Sequence, residues 1–154
     1  MDLRKQFWDE IYKLTKKDED IMVLVGDLGF SFFEPFQKKY PKQFINCGIA
    51  EQNMIGVASG LALAGKKPYC YSNAIFLASR ANEQIRDDVC YNNLNVKLIG
   101  TGAAGFLGFS HNRLPYNEDK LLIGHFPNIK LIFPTNKTEL RRAMEINGPA
   151  YIRI

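Results

Sequence analysis

The run Ile21-Met22-Val23-Leu24-Val25, followed by Gly26 and Asp27, constrains the fold more than any other stretch. A strand with one wet face alternates apolar and polar side chains. An unbroken apolar run that ends in glycine suits a strand buried on both faces, the habit of parallel sheets. Parallel neighbours in turn require crossover connections, usually helical. The rest of the chain supplies them. Helical patterns at 2–16, 50–65, 75–92, 117–124 and 136–147 alternate with strand patterns at 21–27, 43–48, 67–72, 95–102, 130–134 and 150–154. Gly65 with Lys66-Lys67 stops the 50–65 helix, and Asn136 or Thr138 opens the last one. The expected fold class is α/β: a single-domain parallel sheet flanked by helices on both faces. With 154 residues the chain is long enough for one real core.

Composition removes several function classes. No apolar run reaches the ~18 residues of a membrane span, and Met1–Glu10 is too charged for a signal peptide, so a cytoplasmic, non-membrane protein is expected. The net charge of +4 comes with basic pairs at Lys16-Lys17, Lys38-Lys39 and Lys66-Lys67, near predicted helix ends where cations complement the helix dipole. They do not form the aromatic-laced basic face of a nucleic-acid binder, so no nucleic-acid partner is expected. Cys47, Cys70 and Cys90 lack metal-ligand spacing and read as buried reduced thiols; with only His111 and His125 in support, no metal ligand is assigned.

Ligands of parallel α/β sheets gather at the carboxyl ends of the strands. That edge is expected to hold Asp27, Gly48–Glu51, Ser72–Phe76, Gly100–Gly108 and Pro134–Asn136. Within it, Glu51 opens a helix that is otherwise small and apolar. An acid in a first turn can simply satisfy free amides and the dipole, for about 0.3–1 kcal/mol. Yet Gly56, Gly60 and Ala64 recur every four residues and make one smooth helix stripe, although each interior glycine costs about 1 kcal/mol against alanine. Such a stripe suits close contact with another backbone across a subunit boundary. A carboxyl at the mouth of that contact is shielded from water, where its proton becomes chemically useful.

The segments "FINCGIAEQNMIGVASGLALAGKKPYCYS" and "RANEQIRDDVCYNNLNVKLIGTGAAG" closely resemble the pyrimidine-binding domain of transketolase-like, thiamine-diphosphate-dependent enzymes. Gly48–Met54 and Glu83–Val89 carry the most specific motifs, and the resemblance runs from about residue 5 to residue 154. It implies that Glu51 is catalytic: the glutamate at this position hydrogen-bonds N1′ of the cofactor's aminopyrimidine and favours the tautomer that activates the thiazolium. It implies that Phe76 stacks on the aminopyrimidine, and that Ile49, Asp27 and Arg80 lie at the cofactor, Arg80 near the active-site entrance. Asn73 stands where the family often has a second aromatic. His111 aligns with a histidine that contacts the donor sugar and is the second catalytic candidate. The family's acidic residue upstream of it is absent, which points away from ordinary pentose- and hexose-phosphate chemistry.

Other readings of these residues are weaker. Arg80, Glu83, Arg86 and Asp87 fall at helical spacing and also suit a solvated ion-pair face. Asp27 also suits a turn cap. Gly100–Gly105 spells a dinucleotide fingerprint, but Gly108 and Pro115 follow where a helix must start, so the glycines read as a loop near a ligand.

Nothing in the chain resembles the family's diphosphate-binding domain or its third domain. The resemblance therefore implies a split enzyme: residues 1–154 as the pyrimidine-binding subunit, and a separate diphosphate-domain subunit that holds Mg2+ (or Ca2+) and the cofactor's phosphates. Two copies of each chain are expected. The expected reaction moves a two-carbon ketol, or acyl, unit from a sugar-phosphate, ketose or 2-oxo acid donor to an aldehyde acceptor. The alternatives are a 2-oxo acid decarboxylating (dehydrogenase) component, a deoxyxylulose-phosphate-synthase-like subunit, or a non-catalytic scaffold.

Overall fold

The structure, a computed structural model, describes residues 2–102 and 117–154. Helix α1 (Leu3–Thr15) is opened by Asp2, whose side chain accepts from the Arg4 amide. Strand β1 (Ile21–Val25), α2 (Phe33–Lys39), β2 (Phe44–Asn46), α3 (Glu51–Leu63) and β3 (Lys67–Asn73) follow. The second half contains α4 (Ala74–Arg80), a short α5 (Asn82–Gln84) that runs into a π-helical stretch Ile85–Tyr91, then β4 (Lys97–Thr101), α6 (Glu118–Ile123), β5 (Lys130–Ile132), α7 (Lys137–Met144) and β6 (Ala150–Arg153).

The described strands form one six-stranded sheet in the order β2-β1-β3-β4-β6-β5, and every pairing is parallel. All five residues of β1 are buried, as the apolar run requires. Met22 and Leu24 point into a core with Met54, Ile55, Ala58, Leu77, Ile85 and Val89, beneath α3, α4 and the π-helical stretch. Ile21, Val23 and Val25 point the other way, into Phe7, Trp8, Ile11, Phe36 and Met144 beneath α1, α2 and α7. Period-two alternation thus feeds two cores from one strand. Truncation of Leu24, which has no exposed surface, would cost about 2–5 kcal/mol. The second core is strongly aromatic: Phe7 stacks on Tyr71 at 5.5 Å between ring centres, and Trp8 meets Phe36 edge-on at 5.9 Å.

Two elements differ from the sequence expectation. The predicted helix 75–92 is interrupted: α4 ends at Arg80, Ala81 is a turn, and Ile85–Tyr91 winds as a π-helix. The wider winding keeps Ile85, Val89 and Cys90 buried while Arg86 turns outward to bond Asp87 at 2.9 Å. And α2 forms where no element was expected, because Phe33 and Phe36, a helical turn apart, bury themselves under α1. Among the described residues no helix is long and apolar enough to cross a membrane. Cys70 and Cys90 are buried free thiols, and burial pushes Cys90 up to about 12.

Candidate active site

The strand order reverses between β1 and β3, since the chain leaves β1 for β2 on one side and returns to β3 on the other. This opens a crevice at the carboxyl ends of β1 and β3, the usual ligand position in such sheets. The β2–α3 connection delivers Glu51 into it. Asn46, the last residue of β2, organises that connection. Its side chain donates to Asp27 Oδ1 at 3.0 Å and accepts from the Gly48 amide at 3.0 Å. Asp27 itself sits in the left-handed region, at φ 51°, just after β1. It is half-buried and braces the two strand ends rather than capping a turn.

Glu51 is the first residue of α3 and is only 2% exposed. Its carboxylate serves other elements rather than its own helix terminus. Oε1 accepts from the Ser72 hydroxyl at 3.1 Å, and Oε2 pairs with Arg80 Nη1 at 3.1 Å. The helix N-terminus behind it adds a favourable positive end. Gly26 makes the arrangement possible. A Cβ built there would lie 2.9 Å from Ser72 Oγ and 3.5 Å from Glu51 Oε1. Only the missing side chain leaves room for hydroxyl and carboxylate to meet.

Phe76 is half-buried on the first turn of α4, and the Arg80 guanidinium lies over its ring at 3.7 Å. Arg80 therefore joins the two predicted cofactor residues: one end of its guanidinium meets Glu51 while its face covers Phe76. Its side chain remains 40% exposed. Asn73 caps α4: its Oδ1 accepts from the Ile75 amide at 3.1 Å. The polar residue in place of a second aromatic thus has a local job, which is to start the helix that presents Phe76 and Arg80.

An open cleft of about 490 Å3 lies over Glu51 and Arg80, lined also by Ile49, Ala50, Gln52 and Asn53. Ile49 stands on its lip, 74% exposed, an unusual place for a large aliphatic side chain. The structure brings together Glu51, Phe76, Arg80 and Ile49, and it sets Asp27 at the neighbouring strand ends. His111 lies outside the described residues. Ser72 and Gly26 were not assigned to Glu51 from sequence. The only signal was position: both stand at carboxyl ends of adjacent strands.

The outer face of α3 carries Gln52, Asn53, Gly56, Gly60, Leu63 and Ala64, all exposed. Nothing lies within 4 Å of a Cβ built at Gly56 or Gly60. The small-residue stripe therefore faces away from this chain's own core, beside the cleft that Glu51 faces.

The family model for the transketolase pyrimidine-binding domain matches residues 1–153. A putative transketolase C-terminal section from Methanocaldococcus jannaschii is 39% identical, over 99% of this chain and 50% of the relative. One of the subunits of an apulose-4-phosphate transketolase from Actinobacillus succinogenes is 42% identical, over 91% of this chain and 47% of the relative. Among solved structures, a split-gene transketolase described as an inactive beta4 tetramer superposes with a TM-score of 0.83 at 39% identity, covering 97% of this chain and 50% of that one. The chain thus spans about half the length of these relatives. A parallel sheet of this order, a buried glutamate at its switch point and a match along nearly every residue agree: the chain belongs to the transketolase pyrimidine-binding domain family.

Proposed function

We propose that this chain is the pyrimidine-binding component of a split transketolase-like enzyme and that Glu51 is its catalytic acid. The observation that carries this reading is the carboxylate itself: 2% exposed, hydrogen-bonded on both oxygens and lining an open cleft at the switch point. A purely structural acid has no need of that opening.

The residues present fit thiamine diphosphate's aminopyrimidine. The glycine at position 26 leaves the carboxylate space, Arg80 links the carboxylate to a flat aromatic face, and Glu51 and Arg80 both line the cleft. Glu51 would hold the ring through a shared proton, Phe76 would stack on it, and Ile49 and Asp27 would border it. Arg80 at present spans Glu51 and Phe76. It balances the buried charge and must give way there when the ring binds; its exposed side chain has room to turn outward. When bound, the cofactor supplies the carbanion-stabilising chemistry, and the protein supplies proton placement and a dry slot.

The reaction proposed is transfer of a two-carbon ketol unit from a ketose or 2-oxo acid donor to an aldehyde, with His111 contacting the donor. A separate subunit would bring the diphosphate-binding domain with its Mg2+, and the smooth outer face of α3 would meet it. Two copies of each chain would build paired interfacial sites. Calorimetry with thiamine diphosphate and Mg2+, with and without a diphosphate-domain subunit, tests the assignment. Tight binding and ketol transfer are expected only from the complex, and both should fail with Glu51→Ala. Near-wild-type turnover of that variant overturns the role of Glu51, and full activity of the chain alone overturns the split. Release of carbon dioxide without ketol transfer would favour the decarboxylating alternative.

A further inference from the structure

The opposite end of the sheet holds a second unusual group. Lys97, the first residue of β4, is 2% exposed. Its Nζ donates to Asn95 Oδ1 and to the Gly148 carbonyl, the latter at 2.9 Å. Both acceptors are neutral. Buried ammonium groups normally have an acidic partner, and none of the ion pairs among the described residues includes Lys97.

The acids nearby are engaged elsewhere. Asp18 pairs with Lys67 at 2.6 Å, and Glu145 with Arg141 at 3.4 Å. Tyr69, on the adjacent strand, donates its hydroxyl to the Met144 carbonyl at 2.7 Å and so occupies an acceptor at the end of α7. Lys130 adds positive charge nearby. Burial and that like charge together push the Lys97 amine down to about 8. A neutral amine spends its two N–H groups on the two acceptors and keeps its lone pair.

Lys97 also lines a cleft of about 190 Å3, together with Asp18, Lys67, Tyr69, Asn95 and Glu145. Asp18 and Glu145 are balanced by cations, so the lining carries little net charge, and the volume suits an uncharged molecule of a few heavy atoms. We propose that Lys97 is a reactive amine site at the amino edge of the sheet, and that it captures short, uncharged hydroxyaldehydes as an imine. The Nζ lone pair attacks the carbonyl carbon. A proton passes from nitrogen to oxygen, and the carbinolamine loses water to leave the C=N bond. No oxidant, reductant or further reactant is required. The carboxylates of Asp18 and Glu145 offer acceptors for the visitor's hydroxyl groups. This site is independent of the Glu51 cleft, so its test does not depend on the cofactor reading.

The test treats the folded full chain with glycolaldehyde, traps imines with borohydride, and maps modified lysines by peptide mass spectrometry across pH 6–10. At pH 8 an amine titrating there has on the order of a hundredfold more neutral form than an exposed lysine. Lys97 should therefore be modified first, about tenfold faster than exposed lysines such as Lys5 and Lys38 after allowing for its restricted access. Its rate should level off above about pH 8, whereas rates at exposed lysines keep rising. Lys97→Met should remove the fast phase; the wild-type map stands without that variant if it does not fold. Labelling spread over exposed lysines with Lys97 untouched, or a Lys97 pH profile equal to theirs, overturns the proposal.

Discussion

At the carboxyl ends of the strands, Glu51 is buried and its two oxygens meet a hydroxyl and a guanidinium. At the amino ends, Lys97 is buried to the same extent, and its amine meets only an amide oxygen and a backbone carbonyl. The first site pairs its carboxylate with a cation that is itself partly exposed. The second disfavours its charge throughout. Burial alone therefore does not say whether a group is an ion held ready or a base kept neutral; the partners decide.

The largest effect expected at either end is catalytic. Glu51→Gln keeps the shape and hydrogen-bonding reach but removes the exchangeable proton. If the proposed function holds, the complex with a diphosphate-domain subunit should lose about 10²–10⁴-fold in kcat, measured by steady-state ketol transfer. Loss of less than tenfold would reduce Glu51 to a structural acid and erase the contrast between the two ends.

The second effect is on stability, and it tests the amino edge. Lys97 binds its proton less tightly in the folded chain than in the unfolded one. Between about pH 8 and the ordinary lysine range, the unfolded chain therefore carries more protons, and stability must rise with pH. Below pH 8 the penalty is fully present. Relative to Lys97→Met, wild-type stability should climb by about 3 kcal/mol across that window in urea titrations. A flat difference would mean that Lys97 is a satisfied ammonium after all.

Gly26→Ala tests the carboxyl edge by crowding. Its Cβ meets Ser72 Oγ at 2.9 Å, so the hydroxyl must turn from Glu51 or the strands must separate. A loss of about 1–3 kcal/mol is expected by thermal melting. Pairing Gly26→Ala with Ser72→Ala should recover part of it, because the oxygen in the way is gone.

The smallest effect has the opposite sign. Gly60 lies within α3 with open space beyond it, so Gly60→Ala should stabilise the isolated chain by about 0.5–1 kcal/mol. The same change should weaken binding of the diphosphate-domain subunit, read by calorimetry. Unchanged binding would remove α3 from the proposed interface.

Much of this architecture was legible in the residues. Ile21–Val25 announced a strand buried on both faces, and alternation along the chain announced its parallel partners. Glu51 was visible because a carboxylate is out of place at the head of a small, apolar helix. Its partners were less visible, since nothing in "YCYSN" says that Ser72 turns toward β1 rather than into solvent. Helix α2 went unseen because Pro35 and four phenylalanines between 30 and 36 hide a helical period. The π-helical stretch was equally hidden, because its widened turn is set by how Val89 and Cys90 reach the core, a tertiary demand. Lys97 read as an ordinary strand residue in "NVKLIG". Its burial depends on Tyr69 and on the Gly148 turn, which are distant in the chain.

The bare outer side of α3 carries a warning for anyone engineering this molecule. Selection on melting temperature alone would fill Gly56 and Gly60 with side chains, since the isolated polypeptide gains from every such change. On the reading proposed here, the winners of that selection would be sturdier monomers and poorer components, and the loss would surface only once the second polypeptide was added.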